Sequence, residues 1–192
     1  MLDDLLAALY AILTLLVLLA SAEALVFEAE TLTLAQSVLD ACRGRGWHVA
    51  TAESCTGGLV AGALTAIAGS SDVVERGFVT YSNEAKSELL GVPADTIAAH
   101  GAVSAETAAA MAEGAVARAP VDLAVSVTGV AGPGGGSAEK PVGLAILGLA
   151  RRDGSCRTER HIFTGDRSVV RRAALNRALG LLEAEARADR RS

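Results

Sequence analysis

Ser54 and Cys55 stand between an apolar run and two glycines, in Thr51-Ala-Glu-Ser-Cys-Thr-Gly-Gly58, and this stretch carries the groups best suited to chemistry. A hydroxyl and a thiol side by side offer nucleophiles for covalent catalysis, and the glycines let a reacting molecule approach the backbone. Two further polar turns follow. Tyr81, Ser82 and Asn83 precede Lys86, while Thr128 and Gly129 open the run Thr128-Gly-Val-Ala-Gly-Pro-Gly-Gly-Gly-Ser137. Ser54 is the natural nucleophile of the set, with Lys86 as its base if burial lowers the lysine pKa. No Ser-His-Asp set is obvious. A Ser-Lys pair with oxyanion donors from the glycine loops is the acyl-transfer chemistry these residue types allow. Each residue also has a plainer reading. Ser54 can cap a helix, Cys55 can pack in a core, Lys86 can face solvent, Tyr81 can roof the core and the glycine loop can be a mere connection.

For these turns to meet, each must end a strand of one parallel sheet, and the hydrophobic pattern supplies such strands. Residues 47–53 read as the first. A helix beginning near Thr56 follows, with Leu59, Val60, Ala63, Leu64 and Ile67 at helical spacing. Val74 to Tyr81 reads as the second strand, and Ser82 and Asn83 cap a helix that ends at Gly91. Ser104 caps another helix. Leu123 to Thr128 is a nearly continuous apolar run suited to a strand covered on both faces. Val142 to Ala150 and Ser155 to Phe163 form a hairpin through Asp153 and Gly154, and the last helix runs from about Arg167 to Arg187. Helices alternating with strands predict a three-layer α/β/α sandwich with a mixed, centrally parallel sheet. Ligands of such sheets bind at the carboxyl ends of the strands, where Glu53, Ser54, Thr56, Gly57, Gly58, Asn83 and Gly129 all fall.

Hydrophobic residues make up 51% of the chain and charged ones 20%, which excludes a disordered protein and supports one good core. Aromatics are 3%, so that core must be built from small aliphatic side chains. A net charge of −5 without a basic run argues against nucleic acid as partner. Cys42, Cys55 and Cys156 are widely spaced and no histidine falls at ligand spacing, so we expect reduced thiols and no metal site. The segment 5–22 is uncharged and long enough for a membrane span, and Ala20-Ser-Ala22 resembles a cleavage site. Its leading residues are acidic, however, where an export signal needs positive charge. Residues 1–30 therefore stand as an apolar leader or packing helix, with a membrane or signal segment as alternative, ahead of a catalytic domain at 31–188.

Ala52-Glu-Ser-Cys-Thr-Gly-Gly58, Val79-Thr-Tyr-Ser-Asn-Glu-Ala-Lys86, Gly101-Ala-Val-Ser104, Val127-Thr-Gly-Val-Ala-Gly-Pro133 and Lys140-Pro-Val-Gly143, in this order, resemble the CinA C-terminal family. The resemblance spans about Leu32 to Glu185. It implies hydrolysis of the carboxamide of nicotinamide mononucleotide to nicotinate mononucleotide and ammonia, as stand-alone members do, in pyridine nucleotide recycling. It further implies that Ser54 attacks the carboxamide, that Lys86 moves its proton, and that Tyr81 and Thr128 position the amide. No cofactor is implied, while a homo-oligomer in the cytoplasm is. For the substrate's phosphate the candidates are the amides at Thr56, Gly57 and Gly58, the loop around Gly134 and Gly135, and Arg167 of Thr164-Gly-Asp-Arg167. A nucleotide-binding or regulatory module using the same loops without catalysis is the alternative, and a membrane-tethered accessory protein is a third reading.

Overall fold

The structure, a computed structural model, describes residues 6–14 and 27–188. Residues 6–14 are helical (α1) and exposed. Half of the apolar segment 5–22, including the Ala20-Ser-Ala22 site, lies outside the described residues. Among those that are described, no helix is long and apolar enough to cross a membrane.

From residue 29 the order is α2 (Ala29–Arg43), β1 (Val49–Glu53), α3 (Leu59–Thr65), β2 (Val74–Val79), α4 (Asn83–Leu90) and α5 (Ala94–His100). It continues through α6 (Ala105–Arg118), β3 (Leu123–Gly129), β4 (Leu144–Arg151), β5 (Cys156–Ile162) and α7 (Arg167–Arg187). The strands form one sheet in the order β2-β1-β3-β4-β5. β1 runs parallel to both β2 and β3, while β4 is antiparallel to β3 and to β5. The expected mixed sheet is therefore present, with its parallel part at β2-β1-β3.

Two apolar layers explain the sandwich. On one face α2, α3 and α7 bury Val38, Leu39, Val60, Leu64, Leu175 and Leu179 against Val49, Val125 and Leu147 of the sheet. On the other, α4 and α6 bury Leu90, Met111 and Ala115 against the small side chains Ala50, Ala52 and Ala124. β1 and β3 are covered on both sides, so even their polar residues Thr51, Glu53, Ser126 and Thr128 are buried. The hairpin then has a functional consequence. Because β4 leaves the active edge and β5 returns to it, the start of α7 lies at the same edge as the ends of β1, β2 and β3.

Two boundaries differ from expectation. β2 stops at Val79, and Thr80 leaves the strand with its amide bonded to the Glu53 carbonyl at 2.7 Å. The helix after β1 begins at Leu59, not near Thr56, with Gly58 before it at φ 96°. Glycine alone adopts that backbone at low cost. Residues 54–58 are consequently a five-residue turn, and the reason lies in Glu53.

Candidate active site

Glu53 ends β1 fully buried and reaches forward to the start of α3. Its Oε2 accepts the amides of Gly58 (3.0 Å) and Val60 (3.1 Å), and its Oε1 accepts the Ala61 amide (2.9 Å) and the Thr51 hydroxyl (3.2 Å). A carboxylate at a helix N-terminus satisfies donors that the helix itself cannot. This geometry corrects three expectations. Glu53 holds the turn in place and has no oxygen left for a bound molecule. The Gly58 amide is spent on it. The Gly57 amide is spent too, on the Ser54 carbonyl at 3.1 Å.

At the head of the turn Ser54 is 9% exposed, and its amide bonds to the Val127 carbonyl across to β3. Lys86 approaches from α4, whose first turn is capped by the Ser82 side chain. Lys86 is 1% exposed, and its Nζ lies 3.1 Å from Ser54 Oγ. Its other partners are the carbonyls of Thr80 (2.9 Å), Ser82 (3.3 Å) and Tyr81 (3.4 Å). Among the described residues no carboxylate bonds to it. Burial holds the ammonium below the ordinary lysine range, with a partial offset from the Cys55 sulfur and the Glu84 carboxylate. A neutral amine has two hydrogens and one lone pair, so carbonyls can take the hydrogens while the lone pair faces the serine hydroxyl. Such a pair can act as a nucleophile and its base.

The neighbouring groups fall into place around this pair. Cys55 is buried and its thiol is pushed up by burial to about 11, which leaves it protonated at neutral pH. Its Sγ packs so closely on Gly129 that a Cβ there would lie 3.1 Å from the sulfur and 2.5 Å from the Leu144 carbonyl oxygen. Thr128 is buried and its hydroxyl donates to the Ala102 carbonyl at 2.8 Å, leaving its lone pairs as acceptors. Tyr81 is exposed at the rim, and its hydroxyl accepts from Arg167 Nη2 at 3.1 Å. Arg167 also donates to the Gly132 carbonyl at 2.9 Å and so ties the second turn to the glycine loop. Gly134 and Gly135 are exposed on that loop. Asn83 begins α4 and lines an open groove between α4 and α5 with Glu84, Ser87 and Ile97, a groove that none of the other candidate residues lines.

Arg171 was not singled out in the sequence. Its Nε and Nη2 donate to the carbonyls of Cys55 (3.1 Å) and Thr56 (2.8 Å), across more than a hundred residues. The signal that could have found it is its spacing of four from Arg167, which places both on one face of α7.

The CinA C-terminal domain profile matches residues 31–186. The chain belongs to the CinA C-terminal domain family. It is 52% identical over 155 residues to nicotinamide-nucleotide amidohydrolase PncC of Escherichia coli K12, covering 81% of this chain and 94% of that one. A CinA-like protein of Citrifermentans bemidjiense is 60% identical over 129 residues, which span 31% of its length. Among solved structures, the competence/damage inducible protein CihA of Agrobacterium tumefaciens superposes with a TM-score of 0.80 at 50% identity, covering 82% of this chain and 96% of that one. The CinA match takes in all of the residues that meet at this sheet edge.

Proposed function

We propose that this amidohydrolase hydrolyses the carboxamide of nicotinamide mononucleotide to nicotinate mononucleotide and ammonia through Ser54 and Lys86. The observation that carries the mechanism is the 3.1 Å contact between the buried Lys86 amine and the Ser54 hydroxyl. The relatives named nicotinamide-nucleotide amidohydrolases support the substrate.

Lys86 takes the hydroxyl proton as Ser54 Oγ bonds to the carboxamide carbon, and the carbonyl oxygen becomes an oxyanion. The amides of Cys55 and Thr56 suit that charge, because among the described residues neither donates to a backbone carbonyl. Breakage of the C–N bond passes the Lys86 proton to nitrogen and releases ammonia. Water then attacks the acyl ester, Lys86 takes one of its protons and returns it to Ser54 Oγ, and nicotinate mononucleotide leaves, its carboxyl proton passing to solvent. Thr128 accepts from the substrate amide, and Tyr81 keeps its own phenolic proton to donate. Arg167 spends two of its five N–H groups on Gly132 and Tyr81, so the rest, beside the open loop at Gly134 and Gly135, suit the phosphate. This chemistry belongs to pyridine nucleotide recycling in the cytoplasm, and a homo-oligomer is the assembly that goes with it.

Ammonia release from nicotinamide mononucleotide by the purified protein tests the reading. Folded Ser54→Ala and Lys86→Met should each lose at least about 10³-fold in kcat, since serine and base act as a unit. Turnover retained in folded Ser54→Ala refutes the nucleophile. Calorimetric binding of the nucleotide with no ammonia release puts the non-catalytic module in its place.

A further inference from the structure

We infer that Arg171 is a positioning residue that sets the direction of the Thr56 amide, one of the two free donors beside Ser54. The inference rests on the hydrolytic reading above and adds a part to it.

Peptide units are planar and trans, so a carbonyl and the N–H of the following residue point in opposite directions. The Ser54–Cys55 peptide is held by the turn itself, because the Ser54 carbonyl accepts the Gly57 amide. That bond orients the Cys55 N–H. Among the described residues no comparable backbone bond holds the next peptide. The Cys55 carbonyl is instead held by Arg171 Nε, and the Thr56 N–H is thereby turned away from α7. Arg171 Nη2 also donates to the Thr56 carbonyl, which accepts the Leu59 amide at 3.4 Å as well, so one planar guanidinium reaches two successive peptides of the turn. A single rigid fork restrains both at once, where a lysine would supply a point charge for one.

The turn has polarity that the fold does not use. Besides the free amides of Cys55 and Thr56, the fully buried Thr56 hydroxyl has no hydrogen-bond partner among the described residues. Buried polar groups without partners are uncommon, and they are expected where a reacting molecule is to be met. Glu53 secures the inner end of the turn through Gly58, and Arg171 secures its outer carbonyls, so the donors between them cannot swing when charge develops. Preorganised donors of this kind act on the transition state more than on substrate binding.

The test uses the full chain with Arg171→Ala and Arg171→Lys. The readouts are ammonia release from nicotinamide mononucleotide and, separately, the rate of Ser54 labelling by a fluorophosphonate, followed by intact mass. Phosphonylation draws on the same donors but needs no nucleotide. Arg171→Ala should lower kcat about 10- to 100-fold with KM within about threefold, short of the ~10²–10³ loss from removing a donor outright. Labelling should slow in parallel. Guanidinium at millimolar concentration should restore part of both rates, and tetramethylammonium should not. A raised KM with unchanged kcat makes Arg171 a substrate-binding residue and overturns the inference, as do wild-type rates in both readouts. If Arg171→Ala lacks a cooperative urea transition, folded Arg171→Lys decides, and wild-type kcat and labelling in it are the refuting result. A wild-type protein that labels at Ser54 without releasing ammonia refutes the substrate and leaves labelling to judge Arg171. One that does neither overturns both.

Discussion

Replacing Glu53 with glutamine changes one atom and should cost more than most point substitutions. Each carboxylate oxygen of Glu53 faces donors alone, the Gly58 and Val60 amides at one and the Ala61 amide and Thr51 hydroxyl at the other. In Glu53→Gln one oxygen becomes an NH₂. Whichever way the amide is placed, two bonds are lost and a donor is set against donors in a buried site. Hydrogen bonds to a charged group contribute about 1.5–3 kcal/mol each, so loss of two amounts to roughly 3–6 kcal/mol. Two effects reduce this. The Thr51 hydroxyl can rotate to another acceptor, and the desolvation cost of a buried charge disappears with the charge. We therefore expect a loss of about 2–4 kcal/mol, against a typical domain stability of 5–15 kcal/mol. Urea unfolding should show a lower midpoint at an unchanged slope, the sign of lost stability without a change in compactness. A loss under about 0.5 kcal/mol, the range of ordinary surface substitutions, would refute the reasoning.

Two further outcomes follow from the same geometry. Lys86 must be neutral to accept the Ser54 proton, and burial lowers its pKa. Below that lowered pKa the cation predominates, so kcat/KM should rise with pH, by at most about tenfold per unit, and level off below the ordinary lysine range. A profile already flat from mildly acidic conditions upward counts against lysine as the base. Gly129→Ala places a methyl 2.5 Å from the Leu144 oxygen and 3.1 Å from the Cys55 sulfur. Overpacking of this kind costs typically about 1–3 kcal/mol. Because Cys55 adjoins Ser54, thermal unfolding and ammonia release should both report the change, and wild-type behaviour in both would show that the contact is not tight.

Where the chain speaks through neighbouring residues, the sequence was sufficient. α7 was legible from Arg167 to Arg187, and Ser82 and Ser104 were recognisable as caps, because helical period and capping act within one or two turns. The three polar turns at strand ends were legible for the same reason. Apolar runs broken by glycine mark where strands stop, and parallel strands bring their ends to one edge. The exchange of roles inside Thr51 to Gly58 was not legible. A glutamate followed by a serine and two glycines reads as polar residues for a ligand, and only the backward curl of the turn shows that Glu53 consumes the amides of Gly58, Val60 and Ala61. The contacts that matter most join Ser54 to Lys86, and Cys55 and Thr56 to Arg171, at separations of 32, 116 and 115 residues. Sequence determines which residues can carry the reaction and which elements they end. Only strand order, the return of the β4–β5 hairpin and the closure of the two apolar layers decide their distances, because those depend on packing between segments that have no local means of finding one another.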